Sequence, residues 1–181
     1  GIGGEKKGLI KLLVNNPKDS ADISQLDDSH KDTILVCGKH LDYSFYERAK
    51  EIGVKGIICG GIDYNTLSKI LGYSMGVAIT GTENTTTLII TEGFGSIDIA
   101  SNTFNLLKEN INKNVSVNGA TQIRAGVLRP EIFIKSENKK TSDKFHEKNL
   151  IISEGSIVRV IREPYFGKIG KITKLPFELQ K

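Results

Sequence analysis

The side chains best suited to metal binding or nucleophilic catalysis are few: two cysteines and three histidines, at Cys37, Cys59, His30, His40 and His146. Each cysteine follows a short apolar run, a context typical of small buried thiols. The chain has no Cys-x-x-Cys pair and its histidines are scattered, so the spacing argues against a structural zinc site. We therefore expect no metal and no cofactor, and the cysteine usage predicts a reducing, cytoplasmic location.

A glycine-containing turn, "ITEGFGSIDIA", joins a β-branched run to an amphipathic segment. Strand, Gly93-Phe-Gly95 and helix make up half of the dinucleotide-binding arrangement, in which amide groups of a helix N-terminus hold a pyrophosphate. The third glycine of that fingerprint is replaced by Asp98, whose carboxylate would repel a phosphate. We therefore interpret the turn as a structural connection capped by Ser96. The chain also lacks a GxxxxGK[ST] sequence, which argues against a Walker-type nucleotide site.

Loops that follow strand-like runs define a possible ligand crevice, because the carboxyl ends of parallel strands share one edge of a sheet. These residues are Gly60, Gly61, Thr80, Gly81, Glu83, Glu92, Gly93 and Gly95. Arg124 and Arg129 could join them by binding a carboxylate or phosphate in bidentate fashion, or they could pair with Glu92 or Glu131 and fix the sheet, which is the interpretation we favour. None of these glycine-rich or polar loops contains a histidine, so no Ser-His-Asp or Cys-His arrangement is predicted.

The elements that must position these residues alternate along the first part of the chain. The first two predicted helices end at glycines, Gly53 and Gly72, and the third is predicted to begin near Ser96. The predicted strands are "TILVCG", "VKGIICGG", "MGVAITG" and "TTTLIITEG", and the helices between and after them are "SFYERAKEIG", "DYNTLSKILG" and the segment with apolar positions Ile99, Ala100, Phe104, Leu107 and Ile111. This alternation predicts an α/β fold with a mostly parallel sheet and flanking helices.

After the third helix the pattern becomes β-rich. Asn118-Gly119 between two such runs predicts a two-residue hairpin turn, and Pro130 predicts that the second run breaks before "EIFI". The polar stretch at residues 135–153 reads as a linker. We expect an α/β domain at 1–134 and a small β module at 154–181. "GLIKLLV", near the start, is compatible with a strand or a helix.

Charge is distributed unevenly. The net charge is +4, yet residues 1–134 hold 14 Lys/Arg against 15 Asp/Glu, whereas residues 155–181 hold 6 against 2. A clustered positive field attracts polyanions. No apolar run approaches the roughly 20 residues that a membrane helix needs, so no membrane partner is expected. Because the sequence opens at Gly1 without a methionine, we expect that it could be a piece of a longer chain.

The segment "EGSIVRVIREPYFGKIGKITKL" resembles a KOW motif, the short strand–loop–strand unit of ribosomal proteins and transcription elongation factors. The matching residues are Gly155, Val158, Arg159, Val160, Pro164, Gly167, Gly170 and Ile172. Independently, Val158, Val160, Ile169 and Ile172 can form an apolar face, and Gly167 permits a positive φ at the turn. The segment departs from the motif at Glu163, where a glycine is frequent. The resemblance implies an SH3-like β module, and the remaining sequence is too short for all of its strands.

The resemblance also implies a partner, because KOW modules use basic loops to contact RNA or DNA backbones and some bind proteins instead. Phosphate contacts by lysine and arginine give affinity that depends on salt. The residues expected to bind nucleic acid are Arg159, Arg162, Lys168, Lys171 and Lys174 for phosphates, with Tyr165 and Phe166 stacking on an unpaired base. A small barrel with a basic surface and a purely structural role remains an alternative.

Two classes of function follow. In the preferred one, the chain is a non-catalytic RNA-binding protein associated with the ribosome or with transcription. In the alternative, the α/β domain is an enzyme that handles a small molecule or a phosphate, and the KOW-like tail serves interaction or oligomerisation. The wider chain resembles uncharacterised bacterial proteins with a KOW-like tail, and that resemblance implies no activity.

Overall fold

The computed structural model describes residues 1–73, 78–79, 85–122, 126–135, 152–162, 164–165 and 167–175. The chain divides into two compact units, Gly1–Lys135 and Ser136–Lys181. Most of the predicted linker lies outside the described residues. So do Thr80, Gly81, Glu83, Arg124, Glu163 and Phe166. In the described part of the chain, no helix is long and apolar enough to cross a membrane.

The first unit is built on a six-stranded sheet. In chain order the strands of this unit are β1 (Lys6–Leu12), β2 (Thr33–Val36), β3 (Gly56–Ile62), β4 (Ala78–Ile79), β5 (Thr87–Phe94), β6 (Asn114–Asn118), β7 (Thr121–Gln122) and β8 (Glu131–Ile134). The sheet has the order β5-β3-β2-β1-β6-β8, and β4 pairs with β7 separately. Strands β5, β3, β2 and β1 are parallel, whereas β6 is antiparallel to both of its neighbours. The segment "GLIKLLV" is therefore strand.

Among the described residues of this unit, three α-helices connect the strands: α1 (Tyr43–Ile52), α2 (Tyr64–Leu71) and α3 (Ser101–Glu109). Helices α1 and α2 end where the sequence predicts, at Gly53 with φ 88° and Gly72 with φ 74°. Glycine adopts this left-handed conformation without the steric cost that a Cβ would bring. Two short 3₁₀ turns, Ile23–Gln25 and Asp28–His30, lie in the connection from β1 to β2.

The core has two layers, one on each face of the sheet. On one face, Phe45, Tyr46 and Leu67 of α1 and α2 pack with Leu35 and Ile57. On the other face, Phe104 and Leu107 of α3 pack with Ile10, Ile34 and Ile58. The predicted α/β class with a mostly parallel sheet and flanking helices is confirmed. Strand β2 is buried along its whole length, as expected for a central strand covered on both faces.

Two predicted elements are wrong. Helix α3 begins at Ser101, with Ala100 as its N-cap residue, so the predicted start near Ser96 lies five residues too early. Asn118-Gly119 is not a hairpin turn, because β6 pairs with β1 and β8 while β7 pairs with β4. Gly119 instead lies against the backbone of Ile2, where a Cβ would collide with a carbonyl oxygen. The predicted break before Glu131 is confirmed by the start of β8.

The second unit contains an antiparallel hairpin formed by β9 (Ile157–Arg159) and β10 (Ile169–Lys171). Its register pairs Ile169 with Arg159 and Lys171 with Ile157. Bonds from Val160 N–H to the Lys168 carbonyl (2.9 Å) and from Gly167 N–H to the Val160 carbonyl (2.8 Å) extend the pairing to the turn. Gly167 has φ 77°, as predicted. The antiparallel hairpin is thus present, and the SH3-like nature of the module stays a prediction.

Candidate functional site

The loops that follow β2, β3 and β5 meet at the carboxyl edge of the parallel strands. Gly60 N–H donates to the Gly38 carbonyl at 2.8 Å, and Gly61 N–H donates to the Lys39 carbonyl at 2.8 Å. Gly95 N–H reaches back to the Ile62 carbonyl at 3.0 Å. The sheet therefore brings together Gly60, Gly61 and Gly95 of the predicted crevice, as strand geometry requires.

At Gly60 and Gly61, this edge is filled by the chain itself. A Cβ at Gly60 would collide with the Ile97 carbonyl oxygen, and one at Gly61 with the Gly95 carbonyl oxygen. The 95–99 segment therefore lies directly on β3, and the two glycines permit this close approach of backbone to backbone. No space for a ligand is left between these glycines and that segment. The crevice as a ligand site stays a prediction.

The side chain of Glu92, a residue of β5, lies at the N-terminus of α3. Its Oε1 accepts the N–H of Ala100, the N-cap residue, at 2.9 Å and the hydroxyl of Thr91 at 3.2 Å. A carboxylate is favoured there by the positive end of the helix dipole. An incoming phosphate would meet this negative charge, and one of the amides at the helix N-terminus is already bonded to it. Glu92 thus supplies the terminal contact that was predicted for Ser96, which is exposed and precedes the helix.

A histidine overlooked by the sequence interpretation lies at the same edge. His40 forms a β-bridge with Gly61. Its Nε2 lies 3.6 Å from Asp42 Oδ1 and 3.6 Å from Asp63 Oδ2. Its Nδ1 is buried and has no hydrogen-bond partner in the described part of the chain. The predicted crevice loops themselves contain no histidine. His40 lies beside them because it follows β2 in sequence and β2 is the spatial neighbour of β3.

The position of the two aspartates also follows from strand ends. Asp42 and Asp63 are the N-cap residues of α1 and α2, and neither side chain makes a capping hydrogen bond. Nearby in the chain, Lys39 Nζ lies 3.5 Å from Asp98 Oδ1, so Asp98 forms an ion pair rather than lying in a helical turn. The signal that could have found this cluster is its placement one to six residues after two buried strands. Among the described residues no group of three or more His, Cys, Asp or Glu is arranged to hold a metal ion.

The two cysteines lie in the core of the first unit. Cys37 and Cys59 are both fully buried and unpaired. Burial raises the pKa of the Cys59 thiol to about 12 and that of Cys37 well above its ordinary value. Because the thiolate is the nucleophilic form, these thiols are unreactive near neutral pH.

Arg129 is exposed in the connection between β7 and β8. No carboxylate among the described residues forms an ion pair with it, so the predicted pairing with Glu92 or Glu131 is not observed there. Its predicted companion Arg124 lies outside the described residues. Among the described residues, no hydrogen bond links Arg129 to the glycines at the strand ends.

The hairpin of the second unit has two chemically different faces. Cross-strand partners share a face, so Ile157, Arg159, Ile169 and Lys171 lie together on one side, and all four are exposed. Val158, Gly170 and Ile172 are half-buried on the other side. The predicted apolar face of Val158, Val160, Ile169 and Ile172 is therefore wrong for Ile169, which is the direct partner of Arg159.

Of the remaining cations, Arg162 and Lys168 lie in the turn between β9 and β10, and Lys174 follows β10. Lys168 Nζ lies 5.2 Å from the centroid of the Tyr165 ring, within the range of a cation–π contact. Tyr165 is 59% exposed. Arg162 and Lys174 are exposed as well. The hairpin brings all five predicted phosphate-binding cations to its surface, together with one aromatic ring, while Phe166 lies outside the described residues.

Comparison with known proteins adds no assignment: no protein family, curated protein or solved structure matches the chain.

Proposed function

We propose that the second unit binds single-stranded RNA through the basic hairpin β9–β10 and its turn. The observation that carries the proposal is the concentration of exposed cations there: Arg159, Arg162, Lys168, Lys171 and Lys174. Residues 155–181 hold 6 Lys/Arg against 2 Asp/Glu. A local excess of positive charge on an exposed surface attracts a polyanion.

The arrangement of the cations supports a partner with a repeating charge. Arg159 and Lys171 lie diagonally on one face of the hairpin, because each is the cross-strand partner of an isoleucine. Lys168 lies at the turn, and Lys174 follows β10. Such a spread along one ribbon suits successive phosphates of a backbone better than one small anion, which would need the charges to converge.

Tyr165 favours unpaired RNA over a duplex. Its ring is exposed at the turn, and the adjacent Lys168 ammonium lies against it. An unpaired base can stack on such a ring, whereas bases in a duplex are already stacked on their neighbours. The resemblance to KOW motifs of ribosomal proteins agrees with an RNA partner and with a role beside the ribosome or transcription machinery.

The proposal is tested by fluorescence anisotropy with a labelled single-stranded RNA and a labelled duplex DNA over a range of salt concentrations. If all five cations contact phosphates, the slope of log K against log salt is expected to be about −3.5 for the single strand. Lys168/Lys171/Lys174→Glu should abolish binding. Tyr165→Ala should weaken RNA binding by about 1–3 kcal/mol and leave duplex binding unchanged.

The matched control is Lys18/Lys108/Lys113→Glu, which makes the same change in net charge at exposed lysines of the first unit. It should retain the affinity of the unchanged chain. Equal losses in both triple variants would mean that only net charge matters. Absence of binding to RNA at low salt would exclude the proposed function.

A further inference from the structure

Strand β8 is an edge strand of the first unit's sheet. It pairs with β6 on one side, and no described residue pairs with its other side. Its side chains alternate: Ile132 and Ile134 pack on the core layer beneath α3, whereas Glu131 and Phe133 are exposed. Phe133 is 70% exposed, an unusual position for a large aromatic side chain. Unpaired backbone groups along such an edge are a ready template for another strand.

The backbone groups that β8 offers can be identified from the pairing of β1 with β6. Ile10 donates its N–H to the Lys113 carbonyl at 3.1 Å and accepts from Asn112 N–H at 2.9 Å, so the backbone of Ile10 faces β6. The N–H and carbonyl groups of successive residues point to opposite sides of a strand, so those of Gly8 and Lys6 also point towards β6. The N–H and carbonyl groups of their partners Val115 and Val117 therefore point towards β1.

It follows that the N–H and carbonyl groups of the even-numbered residues of β6 point towards β8. The backbone groups of their partners Glu131 and Phe133 therefore point towards β6. The N–H and carbonyl groups of Ile132 and Ile134 point outward, away from β6. These four groups are the ones that a further strand would meet.

We propose that β8 pairs in antiparallel fashion with β8 of a second copy of the chain, about a two-fold axis through Phe133. The segment Glu-Ile-Phe-Ile-Lys, residues 131–135, is self-complementary about its centre. Ile132 of one copy lies opposite Ile134 of the other, and the two residues exchange both backbone hydrogen bonds. The same exchange is repeated across the axis, which gives four bonds between the copies and one sheet of twelve strands.

The side chains agree with this register on both faces of the sheet. The two Phe133 rings meet at the axis, in a pair without hydrogen bonds, where opposed side chains come closest. On the other face, Ile132 and Ile134 of the two copies continue the apolar layer beneath α3. Glu131 of each copy lies opposite Lys135 of the other, so two pairs of opposite charge flank the rings.

Charge complementarity identifies the occupant as a second copy. Glu131 and Lys135 are both exposed, and neither forms an ion pair with another described residue. A groove of about 250 Å³ beside Phe133 is lined by two carboxylates, Glu5 and Glu131, with Ser116 and Asn118. The lysine of a second copy reaches this groove in the proposed register. A peptide of unrelated sequence would match the backbone bonds but not these charges.

Sedimentation velocity of the full chain over a range of concentrations tests the proposal. A single pair of strands buries little surface, so the expected dissociation constant of the dimer is on the order of micromolar. Glu131→Lys and Lys135→Glu should each weaken the dimer at least tenfold, because each places two pairs of like charge across the axis. Mixing the two variants should restore dimers, since every pair in the mixed dimer has opposite charges. The double variant should also restore dimers.

The control is the exchange Lys108→Glu or Glu109→Lys at the exposed end of α3, which should leave the dimer unchanged. A wild-type chain that stays monomeric at several hundred micromolar would overturn the proposal. So would a dimer that both charge variants leave intact, or a mixture that associates no better than its components. The RNA-binding test changes cations of the hairpin, whereas the dimer test changes residues of the β8 segment, so either proposal can fail without the other.

Discussion

Gly61 shows how a single residue determines the structure of the candidate edge. It belongs to β3, and the Gly95 carbonyl lies where its Cβ would be. Glycine clusters at strand ends are also found where backbone must approach a phosphate, so sequence alone does not distinguish the two uses. Here the group that approaches is the chain's own backbone, which explains the glycine without a ligand.

We expect Gly61→Ala to lower the free energy of unfolding of the first unit by about 1–3 kcal/mol, because the added methyl group forces the 95–99 segment away from β3. Urea denaturation followed by far-UV circular dichroism measures this change. The control is Gly170→Ala in β10, where an added Cβ meets no atom within 4 Å and no change in the first unit is expected. Unchanged stability in Gly61→Ala would show that the segment can move away at no cost.

At the scale of elements, the sequence predicts best where a residue has one local role. Gly53 and Gly72 end their helices as predicted, because a left-handed residue at a helix end is a local requirement. The predicted start of α3 is wrong, because the Ala100 amide at the helix N-terminus donates to Glu92, a residue of strand β5. Asn118-Gly119 has the composition of a hairpin turn, but its glycine is needed for contact with Ile2. His40 was overlooked for a related reason: its neighbours are brought together by strand order.

The corrected start of α3 predicts different effects for two polar residues. Glu92→Ala should destabilise the first unit by about 1 kcal/mol, because the Ala100 amide loses its acceptor and the helix loses a favourable charge. Ser96→Ala should change stability by less than about 0.5 kcal/mol, because Ser96 is exposed and lies before the helix. Urea midpoints of both variants measure the difference. The opposite order of effects would place the functional cap at Ser96.

At the scale of the whole molecule, the two units differ in chemistry. The first is nearly balanced in charge and holds its two cysteine thiols in an apolar core. The second carries the basic excess on a two-stranded ribbon. The charge difference could be predicted by counting residues along the sequence. The edge of β8, which no described residue pairs with, could not, because it depends on the position of β8 last in the sheet order.

The core of the first unit predicts a loss of stability in alkali. Cys37, Tyr46 and Cys59 lie in one apolar layer. Burial raises the pKa of Cys59 from 9.0 to about 12 and that of Tyr46 from 10.0 to about 12, and it raises the pKa of Cys37 as well. Between the unfolded and folded pKa values, the folded chain keeps protons that the unfolded chain has lost. Stability is therefore complete below about pH 9 and falls as pH rises towards 12.

Each such group contributes a slope of about 1.4 kcal/mol per pH unit in that window. Urea unfolding at a series of pH values from 7 to 11 should show a decline that steepens above pH 10, where Tyr46 joins the cysteines. Tyr46→Phe should reduce the decline above pH 10. It should also cost about 1 kcal/mol at pH 7, because the hydroxyl donates to the Thr86 carbonyl at 2.8 Å. Cys59→Ala should reduce the slope from pH 9 upward. Stability that is constant up to pH 11 would mean that these groups ionise in the folded chain as readily as in the unfolded one, and hence that water reaches this layer of the core.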